Sequence, residues 1–515
     1  MGERKSMAIN MVSQILSFAI SLAISFFLTR YIAELLGKDV YGFVGLANTF
    51  TGYVIVFTSA VNSMLYRYVT IAFQRKEYNK ASSYFSSVII TDSVIAALLV
   101  LPAAGIVYSI EKLFDVPSNH VVDIKILWLF IFINFLVGLS VGGYNVGTYC
   151  TNRLDLSAKR EIEANLLKAA ILIITYVFFK PKIWYLGLAI FVCGIYGYIA
   201  NIRYKKRLTP QIKLRLAYFR IKSVSELVGT GIWSSFNQLT QTLINGFDLL
   251  FANEFLGALD MSLMSYSKTV SVQIFNFIGL SSKVYGPKLT ITYAEGNMER
   301  FKNTVNSSLR ISGFIGSVPI IGFMVFGSPF FKLWLNMLTN EEIKLIQLLS
   351  ILTLIPIMFA VYIYPLYTVN SITRNLKIPV LVSFGIGVMN IILVPVLIQF
   401  TSFGLIAIKV VSSVLLTLRV FLFVPIYTAY SINMKWTTFY PPMARGMISS
   451  VILITVYWVA NTYVNIDSWA KLVVISLICG VFGYFINYFV LLSEYEREII
   501  HEIIARRLPI KEIKK

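Results

Sequence analysis

Ala33-Glu34-Leu35-Leu36-Gly37-Lys38-Asp39-Val40-Tyr41-Gly42 is a short polar bend between two long apolar arms. One arm runs from Ala8 to Tyr31 and carries Arg30 near its end. The other runs from Phe43 to Arg67 and empties into Arg75-Lys76-Glu77-Tyr78-Asn79-Lys80. Crossing the hydrocarbon core of a bilayer takes roughly 20 predominantly apolar residues. Met7 to Lys80 therefore reads as a helical hairpin that crosses a membrane twice. A similar layout returns 220 residues later, with Phe255-Leu256-Gly257 at the bend and Glu295-Gly296-Asn297-Met298-Glu299-Arg300 at the polar turn.

The rest of the chain extends this pattern. Of 515 residues, 57% are hydrophobic and 14% charged, and the mean hydropathy is +0.73. No hydrophilic stretch is long enough to build a separate soluble domain. Met1 to Lys5 leads straight into a full-length span with no small-residue cleavage site, so the first segment reads as a retained helix. Fourteen apolar spans can be drawn, at about 8–31, 43–67, 84–109, 124–149, 163–179, 183–202, 226–254, 262–286, 306–330, 345–369, 378–399, 403–428, 446–464 and 470–491. The expected fold is an all-α polytopic membrane protein. The drawn parts are a first six-helix lobe (1–203), a basic connector (204–225), a second six-helix lobe (226–430), two further helices (431–493) and a charged amphipathic tail (494–515).

The net charge of +20 could suit nucleic acid, but its distribution suits a membrane. If the N-terminus is cytoplasmic, the outer side holds only Arg30, Lys38, Lys112, Lys125, Lys180, Lys182, Lys332, Lys344 and Lys471 of the 45 Lys and Arg. Lys268, Lys409 and Arg419 fall inside spans, and all other cations fall on the inner side. The positive-inside rule then places both termini in the cytoplasm. In the tail, Ile499, Ile500, Ile503, Ile504 and Leu508 recur at helical spacing among Arg497, Arg506, Arg507 and Lys511. That pattern fits a helix lying on an anionic leaflet.

A shift of 220 superposes Gly37 on Gly257, Thr49 on Thr269, Lys112-Leu113-Phe114 on Lys332-Leu333-Trp334 and Tyr144 on Tyr364. With an even number of spans per half, the repeats are parallel, and such transporters place their substrate at the repeat interface. Nothing in the chain points to an enzyme. It has no glycine-rich loop ending in Gly-Lys-Ser/Thr, no His-Glu-x-x-His and no clustered metal ligands, and Cys150, Cys193 and Cys479 lie far apart. No cofactor or metal is expected.

Charges within or at the edges of spans are costly in hydrocarbon, which makes them the functional candidates. Arg30 closes span one and Asp248 lies inside span seven, so the two could pair across the halves. Arg30 could equally snorkel to the outer interface. Arg67, Lys268 and Lys283 on the two hairpins could hold an anionic head group such as a pyrophosphate. Arg67 and Lys283 also suit plain positive-inside anchors. Lys409 and Arg419 are ten residues apart, close to three turns, and could share a face. Asp92 and Asp248 are the acids that could bind a coupling proton or cation.

The chain resembles the polysaccharide and lipid-linked oligosaccharide flippases of the multidrug/oligosaccharidyl-lipid/polysaccharide (MOP) exporter superfamily. The resemblance rests on Arg30-Tyr31, Leu36-Gly37, Tyr41-Gly42, Arg67-Tyr68 and Lys76-Glu77-Tyr78-Asn79 in the first half. In the second half it rests on Glu226-Leu227-Val228-Gly229-Thr230-Gly231-Ile232-Trp233, Asp248 and Leu256-Gly257. It implies two six-helix lobes in a pseudo-two-fold arrangement, two extra C-terminal helices, and alternating access driven by a proton or sodium gradient. The implied substrate is an undecaprenyl pyrophosphate-linked saccharide, a precursor of capsule, exopolysaccharide or teichoic acid, flipped across a bacterial cytoplasmic membrane. The implied partners are membrane lipids and the polysaccharide polymerase machinery, with no nucleic acid. An ion-coupled drug or metabolite antiporter of the same superfamily is the alternative, and a membrane glycosyl polymerase or ligase a third. The departure from the family is that this chain has few mid-span cations.

Overall fold

A computed structural model describes residues 3–37, 39–373, 375–494 and 496–498, leaving aside the side chains of 3–12, 14–15, 18–19, 25, 57, 280–284, 287 and 294. Among the described residues the chain is all-helical, with no strand. A helix answers to each drawn span. They are α1 (Glu3–Leu36), α2 (Gly42–Gln74), α3 (Tyr78–Tyr108), α4 (Val121–Val141), α5 (Leu154–Phe178), α6 (Trp184–Leu208) and α7 (Ile221–Asn245). The rest are α8 (Ala258–Ala294), α9 (Met298–Trp334), α10 (Asn340–Ala360), α11 (Lys377–Phe400), α12 (Leu405–Leu418), α13 (Tyr440–Tyr463) and α14 (Trp469–Val490). Nine of the described helical segments are long and apolar enough to cross a membrane, or ten with α2, which bends by 67° between Val56 and Thr58. The helices outside that set include α5, which carries Glu161, Glu163 and Lys168, and α7, which is rich in Ser, Thr and Asn.

Local chemistry sets several helix ends. Thr339 and Glu342 form a reciprocal capping box at the start of α10, and the side chain of Asn297 caps α9. The two bends at the starts of the repeats share one device. Gly37 and Gly257 have φ of 96° and 103°, a region that glycine enters at little steric cost. The polar turns match as well, since Lys76 and Gly296 both have positive φ. A third correspondence is a mid-span break. Gly142–Asn145 forms a 3-10 turn before the short helix Val146–Cys150, and a turn at 361–363 separates α10 from the helix Tyr364–Ile372. The 220-residue repeat is thus present in the backbone at three places.

The chain divides into two compact units. The first comprises Met1–Ser265 and Gly387–Gln399, the second Tyr266–Ile386 and Phe400–Lys515. The first unit therefore includes α7 from the second repeat. Within it α2 packs along α7 so closely that a Cβ on Gly231 would stand 1.9 Å from the carbonyl oxygen of Ala60. Small residues permit this kind of approach between membrane helices. Ser59 and Ser235 share a 2.9 Å hydrogen bond across the same contact, and the Tyr53 hydroxyl donates to the Gly246 carbonyl. Near the Gly37 bend the Gly42 amide donates to Ser262, its counterpart under the 220 shift.

The connector is docked rather than loose. Ser82, Ser83, Ser86 and Ser87 on α3 bond to Lys213, Ser223, Arg215 and Arg220, and Tyr84 donates to Glu226 at 2.8 Å. In the second unit α9 packs against α10, α13 and α14, and its core includes Phe301, Tyr362, Phe439 and Tyr457. The segment after α14 is clamped there as well. Arg310 of α9 makes two hydrogen bonds to the buried carboxylate of Glu496, at 3.0 and 2.7 Å. Burial opposes ionisation of that carboxyl. The guanidinium, with Ser493 also donating to it, outweighs burial and holds the pKa down at about 2. Of the proposed amphipathic tail, Arg497 donates to the carbonyls of Tyr488 and Phe489. Ile499 onward lies outside the described residues.

Candidate functional site: a neutral cavity beside a buried acid

In the first unit α2, α4 and α6 line an open cavity of about 600 Å³. Its polar lining is Asn48, Thr51, Thr58, Ser59, Asn62, Ser63, Asn134 and Tyr198, and its apolar lining includes Ile55, Ile131 and Phe135. Among the described residues no Lys, Arg, Asp or Glu lines it. Most of the accessible wall is apolar, and Thr51, Thr58, Ser59 and Asn62 already donate to backbone carbonyls. Their oxygens and the remaining amides and hydroxyls can still bond neutral hydroxyl groups of a ligand. The Tyr198 hydroxyl is held by the backbone carbonyl of Asn134 at 3.0 Å.

Asp92 of α3 stands behind this wall. It is fully buried, and neither carboxylate oxygen accepts a hydrogen bond among the described residues. The amide of Asn62, which also lines the cavity, lies beside it, and Tyr66 is a further polar neighbour. Burying a charged carboxylate with little more than one neighbouring amide to offset it is costly. Taking up a proton or a cation relieves that cost, which is the chemistry of a coupling site.

The other candidates fall into two groups. In the first unit Arg30 pairs with Glu34 of its own helix, one turn on, at 2.8 Å. Asp248 is buried as the first residue of the helix Asp248–Leu256, where the positive end of the helix dipole favours a carboxylate. Next to it Tyr53 stacks on Phe247 at 5.3 Å. Arg67 is exposed on α2. In the second unit Lys268 is half-buried and Lys409 buried. The side chain of Lys283 lies outside the described residues.

Arg419 has an environment that its place in the sequence did not reveal. It opens a π-helical turn, Arg419–Phe423, between α12 and the helix Val424–Ser431. Such turns insert a residue into a helix and often mark functional positions. The guanidinium lies 5.5 Å from the ring of Tyr367, and its Nε has no hydrogen-bond partner among the described residues. The regular helix α12 joins Lys409 to Arg419, and the π turn begins only at Arg419 itself.

Lys168 was missed by the sequence reading. A span drawn from 163 put it near an end, but α5 starts at Leu154, so Lys168 sits mid-helix, beside the Cys193 thiol. The extra turns of helix are legible only in Asp155, Arg160 and Glu163, whose charges read as loop. In the structure the Arg160–Glu163–Tyr196 cluster and the Ser17–Glu161 and Asn165–Ser21 bonds satisfy that part of the helix.

No family model matches the chain. It is 25% identical over 493 residues to a protein described as "Uncharacterized membrane protein EpsK" of Bacillus subtilis (strain 168), covering 96% of this chain and 97% of that one. Among solved structures it is similar to the lipid II flippase MurJ in an inward closed conformation, with a TM-score of 0.66 and 16% identity, over 96% of this chain and all of that one. It is also similar to the inward-facing conformation of a multidrug resistance MATE family transporter, with a TM-score of 0.60 and 14% identity, over 83% of this chain and 98% of that one. The chain is a multi-pass membrane protein with the fold of the MOP superfamily.

Proposed function

We propose that this protein is a flippase that moves an undecaprenyl pyrophosphate-linked saccharide from the cytoplasmic to the outer leaflet of a bacterial membrane by alternating access. The observation that carries the reading is the uncharged cavity between α2, α4 and α6. Amides and hydroxyls inside a membrane unit suit the hydroxyl groups of a saccharide, with Tyr198 and Phe135 as ring surfaces. The pyrophosphate then requires cations elsewhere, and Arg419, Lys168, Lys268, Lys409, Arg67, Lys283 and Arg30 are the candidates. Asp92, next to the cavity wall through Asn62, takes the coupling proton or cation, with Asp248 as a second candidate. The likeness to MurJ extends over 96% of this chain, against 83% for the MATE transporter, and the α13–α14 pair packs into the second unit's core. Both points favour a lipid-linked substrate over a drug.

The test is translocation of a labelled lipid-linked saccharide by the purified protein in vesicles. Asn134→Leu and Tyr198→Phe should lower the rate while leaving the folded yield unchanged. Drug-stimulated proton movement, with no effect of either substitution on saccharide transfer, would make the protein an antiporter instead.

A further inference from the structure

A second cavity, of about 520 Å³, lies on the second unit where α12 ends. Its walls come from the π turn and the helix after it, with Leu422 and Phe423 in the π turn, Tyr427 on the helix, and Lys435 and Trp436 on the following turn. Phe423 and Tyr427 stack at 5.3 Å, with their rings inclined by only 13°. The groove is open to its surroundings, since Leu422 is 57%, Tyr430 79% and Trp436 61% exposed. An apolar groove that ends in exposed tyrosine and tryptophan has the profile of the boundary between hydrocarbon and head groups. From Leu422 to Tyr430 it runs about 12 Å along the helix axis.

Charge selects among the possible lipids. Lys435 is exposed at the polar end and has no ion pair among the described residues. From Ser431 to Ala444 the chain contains no acidic residue, and Arg445 follows. A zwitterionic lipid would bring its own ammonium to this rim, whereas an anionic lipid brings only negative charge.

We propose that this groove is a binding site for an anionic phospholipid, with acyl chain along Leu422, Phe423 and Tyr427 and phosphate at Lys435. The site is separate from the saccharide cavity and does not depend on the flippase reading. It would make the π-turn helix responsive to the composition of the bilayer.

The full-length protein can be reconstituted in phosphatidylcholine vesicles with either brominated phosphatidylglycerol or brominated phosphatidylcholine, which quench nearby tryptophan. The Trp436 contribution is the emission lost in Trp436→Phe. Half-quenching of that contribution is expected at a mole fraction of brominated phosphatidylglycerol about fivefold lower than of the zwitterionic lipid, the effect of one unit charge at a head group. Lys435→Gln should bring the two lipids to parity, and Lys435→Arg should retain the preference. Equal quenching in the wild type, or a preference that survives Lys435→Gln, overturns the proposal. Displacement by substoichiometric polyprenyl phosphate also overturns it, because the groove would then belong to the translocated lipid.

Discussion

Asp92 offers the sharpest outcome at the scale of single residues. Asn is nearly isosteric with Asp and neutral, so Asp92→Asn should keep the protein folded while removing the buried carboxylate. Saccharide transfer in vesicles should then fall to its rate without an ion gradient and stay there when a gradient is imposed. A wild-type response would take Asp92 out of the coupling. At Gly231 the expected effect is steric. Gly231→Val places side-chain atoms where the Ala60 carbonyl lies, and overpacking of this kind costs about 1–3 kcal/mol. A lowered Tm in detergent is the readout. Glu496 gives a pH dependence of definite sign. Its folded pKa, about 2, lies below the ordinary 4.5, so the contribution of the clamp is full above 4.5 and is lost as the pH falls through 2. Amides around Ser493–Arg497 should lose protection from hydrogen exchange over that window, and Glu496→Gln should abolish the dependence. The residue pattern foretold Asp92 and Asp248 as buried acids. It could not show that Arg30 has a partner one turn away or that Lys168 lies mid-helix, because both depend on where a helix begins and ends.

Among the elements, the docked connector is the least expected. Its basic run, Lys205-Lys206-Arg207 through Lys222, reads as a solvated linker, yet Ser82, Ser83, Ser86 and Ser87 hold it to α3. Serines within an apolar helix look like weak helix formers until their partners are known, and those partners are some 130 residues away. Replacing Ser83, Ser86 and Ser87 with Ala removes bonds worth about 1 kcal/mol each. Trypsin should then cut at Lys213, Arg215 or Arg220 faster than in the wild type; an unchanged rate would mean that the strap is held by other contacts. The span order and the bends at Gly37 and Gly257 were legible because apolar length and glycine chemistry are local properties. The π turn at Arg419 was not, since an inserted residue leaves no mark in an apolar run.

For the molecule as a whole, the sequence indicates a polytopic all-helical protein with an internal repeat, and the fold agrees. The compact units divide it differently from the repeats, because α2 and α7 belong to different repeats and pack tightly at Gly231. The first unit holds a cavity whose described lining is uncharged, which no spacing of charges could reveal. Its residues come from three helices, and each reads alone as ordinary polar packing. The central claim is that this cavity and its flanking acid serve the transfer of a lipid-linked saccharide between leaflets. The most direct test places a fluorescent undecaprenyl pyrophosphate-linked saccharide in vesicles containing the purified protein and follows its exposure to an impermeant quencher. Gradient-dependent transfer that is lost in Asp92→Asn and slowed in Asn134→Leu is the expected result; no transfer above protein-free vesicles, with or without a gradient, would contradict the account.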